Sequence, residues 1–74
     1  MQYIVRRFVR GEIRYVGWAD RNPPDTTSHI GLARRFRDPS AASYWANRLG
    51  EDETGIKGEV ITEAEATIGE VMAT

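Results

Sequence analysis

Three groups of residues in this 74-residue chain carry side chains that could do chemistry. Asp25, Ser28 and His29, the only histidine, contain the functional groups of a hydrolase. Catalysis of that kind needs a nucleophile, a base and an orienting acid that converge in space, and side chains so near in sequence do not make that geometry. The stretch reads instead as a loop in which His29 is a cap or a solvent residue. Glu51-Asp52-Glu53 offers carboxylates, but the spaced ligands, central Gly and terminal Glu of a Ca²⁺ loop are missing, so it reads as a solvated turn. Gly55 and Gly58 lack the Gly-Lys-Ser/Thr ending of a phosphate loop. No catalytic residue, metal site or cofactor is expected.

The third group is the arginines. Arg6, Arg7, Arg10 and Arg14 interleave with Phe8 and Tyr15, a pattern that can contact phosphate and stack bases. Nine Arg against one Lys also suits planar, bidentate recognition of carboxylate or phosphate. The net charge of −1 argues against a dedicated nucleic-acid footprint. Charge is nevertheless uneven. Residues 1–50 hold nine Arg against Glu12, Asp20, Asp25 and Asp38, whereas residues 51–74 hold Lys57 against seven acids. The simplest reading is that the acidic part lies beside the basic part and neutralises it. Aromatic residues are the remaining signal. Trp18, Tyr44 and Trp45, with Tyr3, Phe8, Tyr15 and Phe36, are many rings for so small a core. Trp and Tyr flanked by Arg are the anchors that protein interfaces favour.

These groups must be positioned by a single small domain spanning 1–74, near the size at which one core is only marginally stable. There is no Cys to staple it. The N-terminus does not read as a signal peptide and no run approaches a membrane span, so a cytoplasmic protein with no membrane contact is expected.

Residues 2–18 read as a β-hairpin broken at Gly11. A two-residue turn at Arg10-Gly11 sets Phe8 opposite Ile13 and Arg7 opposite Arg14. A three-residue turn sets Val5 opposite Tyr15 and Arg6 against Arg14, and one face keeps a cluster of arginines in either register. Residues 19–29 read as a loop, in which Pro23-Pro24 forbids ladder or helix. Residues 30–50 read as a helical turn, with Ile30, Ala33 and Phe36 on one side, leading into a main helix. That helix has Asp38 as N-cap, Pro39 at its first position and Gly50 as an αL terminator. Ala42, Trp45, Ala46 and Leu49 form its apolar face, and Trp45 is expected to be the ring around which the other elements pack. Residues 56–66 alternate as a third strand, broken only by Ile61, and 67–74 form a tail. Thr62-x-x-Glu65 also matches a capping box, which would open a short helix with Ala64, Ile68 and Val71 inward. The expected class is α+β: a three-stranded antiparallel sheet with one helix packed across it, in the order β-β-α-β.

The aromatic hairpin, the polar loop, Ala33-x-x-Phe36 running into Asp38-Pro39-Ser40-Ala41-Ala42, and the final strand together resemble small phage- and prophage-encoded accessory proteins. The resemblance covers about residues 2–62. Some proteins of that pool are anti-CRISPR or other anti-defence inhibitors that occlude a host protein. The resemblance implies a non-enzymatic module whose partner is a host protein or complex. Its contacts are expected among Arg6, Arg7, Arg10, Arg14, Trp18, Arg34, Arg35, Tyr44 and Arg48. The alternatives are nucleic-acid binding through the arginine hairpin and a structural homodimer closed by the spare aromatics.

Overall fold

A computed structural model describes residues 1–20 and 23–72, with side chains through Ile68. Arg21 and Asn22 of the expected loop, and Ala73 and Thr74 of the expected tail, lie outside the described residues. The chain forms β1 (Tyr3–Val9), β2 (Glu12–Trp18), β3 (Asp25–Thr27), a 3₁₀ turn (Ile30–Leu32), α1 (Pro39–Leu49), β4 (Glu59–Thr62) and α2 (Glu63–Met72). The class is α+β, but the antiparallel sheet has four strands in the order β3-β2-β1-β4 rather than three. The extra strand is β3, inside the expected loop. Pro23 and Pro24 cannot donate to a ladder, yet the Asp-Thr-Thr that follows them can, and it pairs with the end of β2.

Of the two hairpin registers, the two-residue turn is the one adopted. Arg10 (φ 53°) and Gly11 (φ 80°) both take positive φ, as a type I′ turn demands, and Phe8 stands opposite Ile13. Arg7 is therefore opposite Arg14, a like-charge pair. The conflict is relieved by sending the two guanidiniums to different partners. Arg7 is buried and donates to the Leu49 and Ile56 carbonyls, to Thr54 Oγ1 and to Asp52. Arg14 turns the other way, to the Thr26 hydroxyl and carbonyl. The expected cluster of arginines on one face is not formed, because alternation puts Arg6 on the opposite face from both.

Both sheet faces are covered. On one, Val5, Val16 and Phe36 pack with Ala42, Ala46 and Leu49 of α1. On the other, Ile4, Tyr15 and Ile61 pack with Ala33, which follows the 3₁₀ turn, and Ala66 of α2. This explains Ile61, the residue that breaks the alternation: a strand covered on both sides buries consecutive residues. It also corrects the expected face of Ala33 and Phe36. Only Ile30–Leu32 is helical, and Ala33 is extended (φ −67°, ψ 140°), so Ala33 and Phe36 enter opposite cores. The β1–β2 pairing runs from Val9↔Glu12 to Arg6↔Tyr15, and beyond it the strands part. The chain crosses in that opening: Arg34 N–H donates to the Val16 carbonyl, while Phe36 and Tyr3 exchange backbone hydrogen bonds of 2.7 and 2.8 Å.

The third strand is shorter than expected, because the capping box wins. Thr62 Oγ1 accepts from the Glu65 N–H (3.1 Å) and donates to Glu65 Oε1 (3.0 Å), so α2 starts at Glu63 instead of a tail starting at 67. Its buried residue is Ala66, with Ala64 and Ile68 exposed, and the side chain of Val71 is outside the description. Trp45 is not the pivot of the fold. It is half-buried at the margin of the α1 core, and the closest approach of α1 to the sheet runs through Ala42, Ala46 and Leu49. Small residues set that approach: a Cβ on Gly58 would come within 2.5 Å of Val5 and 2.9 Å of Leu49. Gly50 is αR (φ −69°), not αL, and ends the helix with its N–H on the Asn47 and Arg48 carbonyls.

A candidate protein interface on the main helix

Helix α1 begins where Asp38 accepts the Ser40 N–H at 2.9 Å and Pro39 occupies the first position. Burying Ala42, Ala46 and Leu49 turns the other side of the helix outward. That side carries Ser40, Ser43, Tyr44 and Asn47, all exposed, with Trp45 and Arg48 half-buried along its margin. Arg48 is the only charged residue in the helix. A solvent-facing helix ordinarily carries Lys and Glu. Interfaces are instead depleted in those two and enriched in Tyr, Trp and Arg.

The three large side chains are held relative to one another. The Tyr44 and Trp45 rings meet edge to face, with centroids 5.1 Å apart at 87°. The Arg48 guanidinium lies 4.8 Å from the Tyr44 centroid, and its Nη1 donates to Glu51 Oε2 at 2.8 Å. The hydrogen bond to Glu51, and then the Tyr44 side chain, push the Arg48 pKa further up from an already high value. The cluster is thus pre-organised: a partner need not order these side chains, which lowers the entropic cost of binding.

The other expected contact residues are dispersed. Arg6 is paired with Glu59 at 2.5 Å and lies over the Phe8 ring at 5.1 Å. Arg7 is a structural residue and offers nothing to a partner. Arg10 is exposed at the hairpin turn, beside an open cleft lined by Val9, Glu12, Glu53, Thr54 and Ile56. Arg14 is spent on Thr26. Trp18 is 60% exposed at the end of β2. Arg34 is exposed over the Phe36 ring, while Arg35 binds the Ile30 and Ala33 carbonyls and lies 3.6 Å from Glu63. Only Tyr44 and Arg48 come together. Glu51, which the sequence marks only as part of a solvated turn, and Ser43 and Asn47, which it does not mark, complete their surroundings. The i,i+3 spacing of Arg48 and Glu51, and the i,i+3 and i,i+4 spacings of Ser40, Ser43, Tyr44 and Asn47, are the signals that mark them.

Two carboxylates of the Glu51-Asp52-Glu53 turn serve arginines, Glu51 for Arg48 and Asp52 for Arg7. Asp52 Oδ2 accepts from Arg7 at 2.5 Å, and Thr54 adds its hydroxyl and N–H. The Arg7 hydrogen bond, opposed by partial burial, holds the Asp52 carboxyl well below the usual carboxylate range. In all, Arg6–Glu59, Arg7–Asp52, Arg35–Glu63 and Arg48–Glu51 each join the basic part of the chain to the acidic part. These four pairs offset part of the uneven charge within the molecule. His29 is exposed ahead of the 3₁₀ turn, its N–H on Thr27 Oγ1. Among the described residues no three His, Asp or Glu side chains gather as metal ligands would, and no helix is long and apolar enough to cross a membrane. Comparison of the chain with protein-family models, with curated proteins and with solved structures finds no match.

Proposed function

We propose that the chain is a non-enzymatic protein-binding module that acts by occupying a surface of a host protein or complex, in the manner of the phage accessory inhibitors it resembles. The observation that carries this reading is the outer side of α1, where a fixed Tyr44–Trp45–Arg48 cluster sits among Ser40, Ser43 and Asn47 with no Lys or acid in the helix. Rigid aromatic anchors beside small hydroxyl and amide side chains are the composition of adaptable protein-recognition surfaces. Occlusion needs no chemistry from the bound module, only area and a slow off-rate. The nucleic-acid reading draws less support. Of the four hairpin arginines, one is buried and two are committed to Glu59 and Thr26, which leaves Arg10 for phosphate.

The test is affinity purification of the tagged protein from its native host, with wild type, Tyr44→Ala and Arg48→Ala side by side. The wild type is expected to retain one protein complex in stoichiometric yield, and each substitution to weaken retention by about tenfold or more, since truncating an interface anchor costs at least ~2 kcal/mol. Equal retention by all three proteins overturns the reading, as does recovery of nucleic acid in place of a protein.

A further inference from the structure

The Arg48–Glu51 pair stands where helix α1 runs out. The N–H groups of Gly50, Glu51 and Asp52 go to the Asn47, Arg48 and Leu49 carbonyls at 3.2, 3.0 and 3.3 Å. Bonds of that three-residue span have poorer geometry than those of an α-helix, and helix ends fray. The pair cannot hold this segment by itself. Its side chains are 38% and 46% exposed, and an exposed i,i+3 pair gains less than the rotamer freedom of the two long side chains it would fix. The chain on either side of Glu51 is gripped from within. Arg7, 7% exposed, sends Nη1 to the Leu49 carbonyl ahead of Glu51 and to Thr54 Oγ1 and the Ile56 carbonyl after it. Its Nη2 donates to Asp52 Oδ2 at 2.5 Å. The Thr54 hydroxyl and N–H donate to Asp52 Oδ1 at 2.6 and 3.0 Å and complete the clamp.

We propose that Arg7 and Asp52 are positioning residues for the α1 interface: by clamping the chain around Glu51 they keep its carboxylate at Arg48, and Arg48 against the Tyr44 ring. The inference rests on the α1 reading and deepens it, since the readiness of that surface is then set by a hairpin residue no partner touches. Glu51 Oε2 accepts from Arg48 at 2.8 Å, and the Arg48 guanidinium lies 4.8 Å from the Tyr44 centroid, so the clamp and the aromatic cluster are joined through one ion pair. Breaking the clamp changes no side chain of the contact surface. It frees Glu51 and Arg48, and a partner must then order both on binding.

The first measurement needs no partner. Spin relaxation of the Arg48 Nε–H in the free protein is expected to show a rigid side chain in the wild type, with an order parameter that falls below about 0.6 in Asp52→Asn and in Thr54→Val. Thr54→Val, on an exposed residue, is the milder change and serves if Asp52→Asn does not fold. The Arg6 Nε–H, held by Glu59 at 2.9 Å, is the control and stays rigid in both. The second measurement uses the complex retained from the host by the tagged wild type. Its dissociation rate is expected to rise by about threefold or more with Asp52→Asn, Thr54→Val and Glu51→Gln. A merely structural role would lower the folded fraction but leave that rate unchanged, since every bound molecule is folded. An Arg48 side chain that stays rigid in both clamp variants overturns the proposal. So does a dissociation rate unchanged in them while Arg48→Ala raises it. A rate unchanged by Arg48→Ala as well overturns the α1 reading, and this inference with it.

Discussion

Arg7 is the residue on which the hairpin and the turn after α1 both depend. It reaches Leu49, Asp52, Thr54 and Ile56, and so fixes the segment that leads from α1 into β4. Among the described residues its buried Nε has no hydrogen-bond partner, so the four bonds made by the rest of the guanidinium must offset that cost. Asp52 supplies the only charge in the set. A carboxyl whose folded pKa is depressed contributes stability that is complete above its ordinary pKa and is lost as pH falls through the carboxylate range. Asp52→Asn is therefore expected to lower stability by about 2 kcal/mol at neutral pH, the scale of a hydrogen bond to a charged group. The gap should close as the solution is acidified below that range. Urea unfolding of both proteins across pH measures this; a gap that stays constant with pH assigns the loss to packing rather than to charge. Sequence shows Arg7 among four hairpin arginines but not that it alone is interior, because burial depends on acceptors more than 40 positions away in the chain.

At the scale of elements, the glycines around α1 test how the helix is seated. Gly58 lets the chain pass against Val5, Leu49 and Ala46, where a methyl group would collide with two side chains fixed in the core. Gly58→Ala is expected to cost about 1–3 kcal/mol, the usual range for overpacking. Gly50, whose place after Leu49 suggests positive φ, is αR, and a Cβ there meets chiefly Lys57 Cγ at 2.7 Å, part of a flexible exposed side chain. Gly50→Ala is expected to leave the melting temperature within a few degrees of wild type. Thermal unfolding of the pair separates the two roles: equal losses would mean that helix termination, not the approach of Gly58, governs the site. Much of this scale is legible beforehand, because caps and hairpins are local signals. Asp38-Pro39, Arg10-Gly11 and Thr62-x-x-Glu65 each act within a few residues. What is not legible is the second layer. Ile61 and Ala66 look like an interrupted strand until Ala33 and Ile30 are known to cover that face. The α1 cluster is half legible: Tyr44 and Arg48 stand out by type, whereas Glu51 matters only once the helix places it beside Arg48.

Over the whole molecule, two small cores share one sheet, and neither is large enough to stand alone. They are tied by the segment from Ala33 to Phe36, which contributes one residue to each. Unfolding is accordingly expected to be a single transition. In a Trp18→Phe background, Trp45 emission, which reports the α1 side, should change at the same urea concentration as the amide signals of Ile4, Tyr15 and Ala33 on the other side. Separate midpoints would show that the layers are independent units.

That tie is also a piece of molecular self-occupancy. Where β1 and β2 separate, they leave a slot for an extended strand, and the chain fills it with its own Arg34–Phe36 much as a receptor takes a guest peptide. The guest is tethered by its own chain, so its effective concentration is high and no outside strand competes on equal terms. Because the cost of closing a loop grows only by about 0.6 kcal/mol per doubling of length, that tether can be lengthened by evolution or by an engineer with the slot still filled.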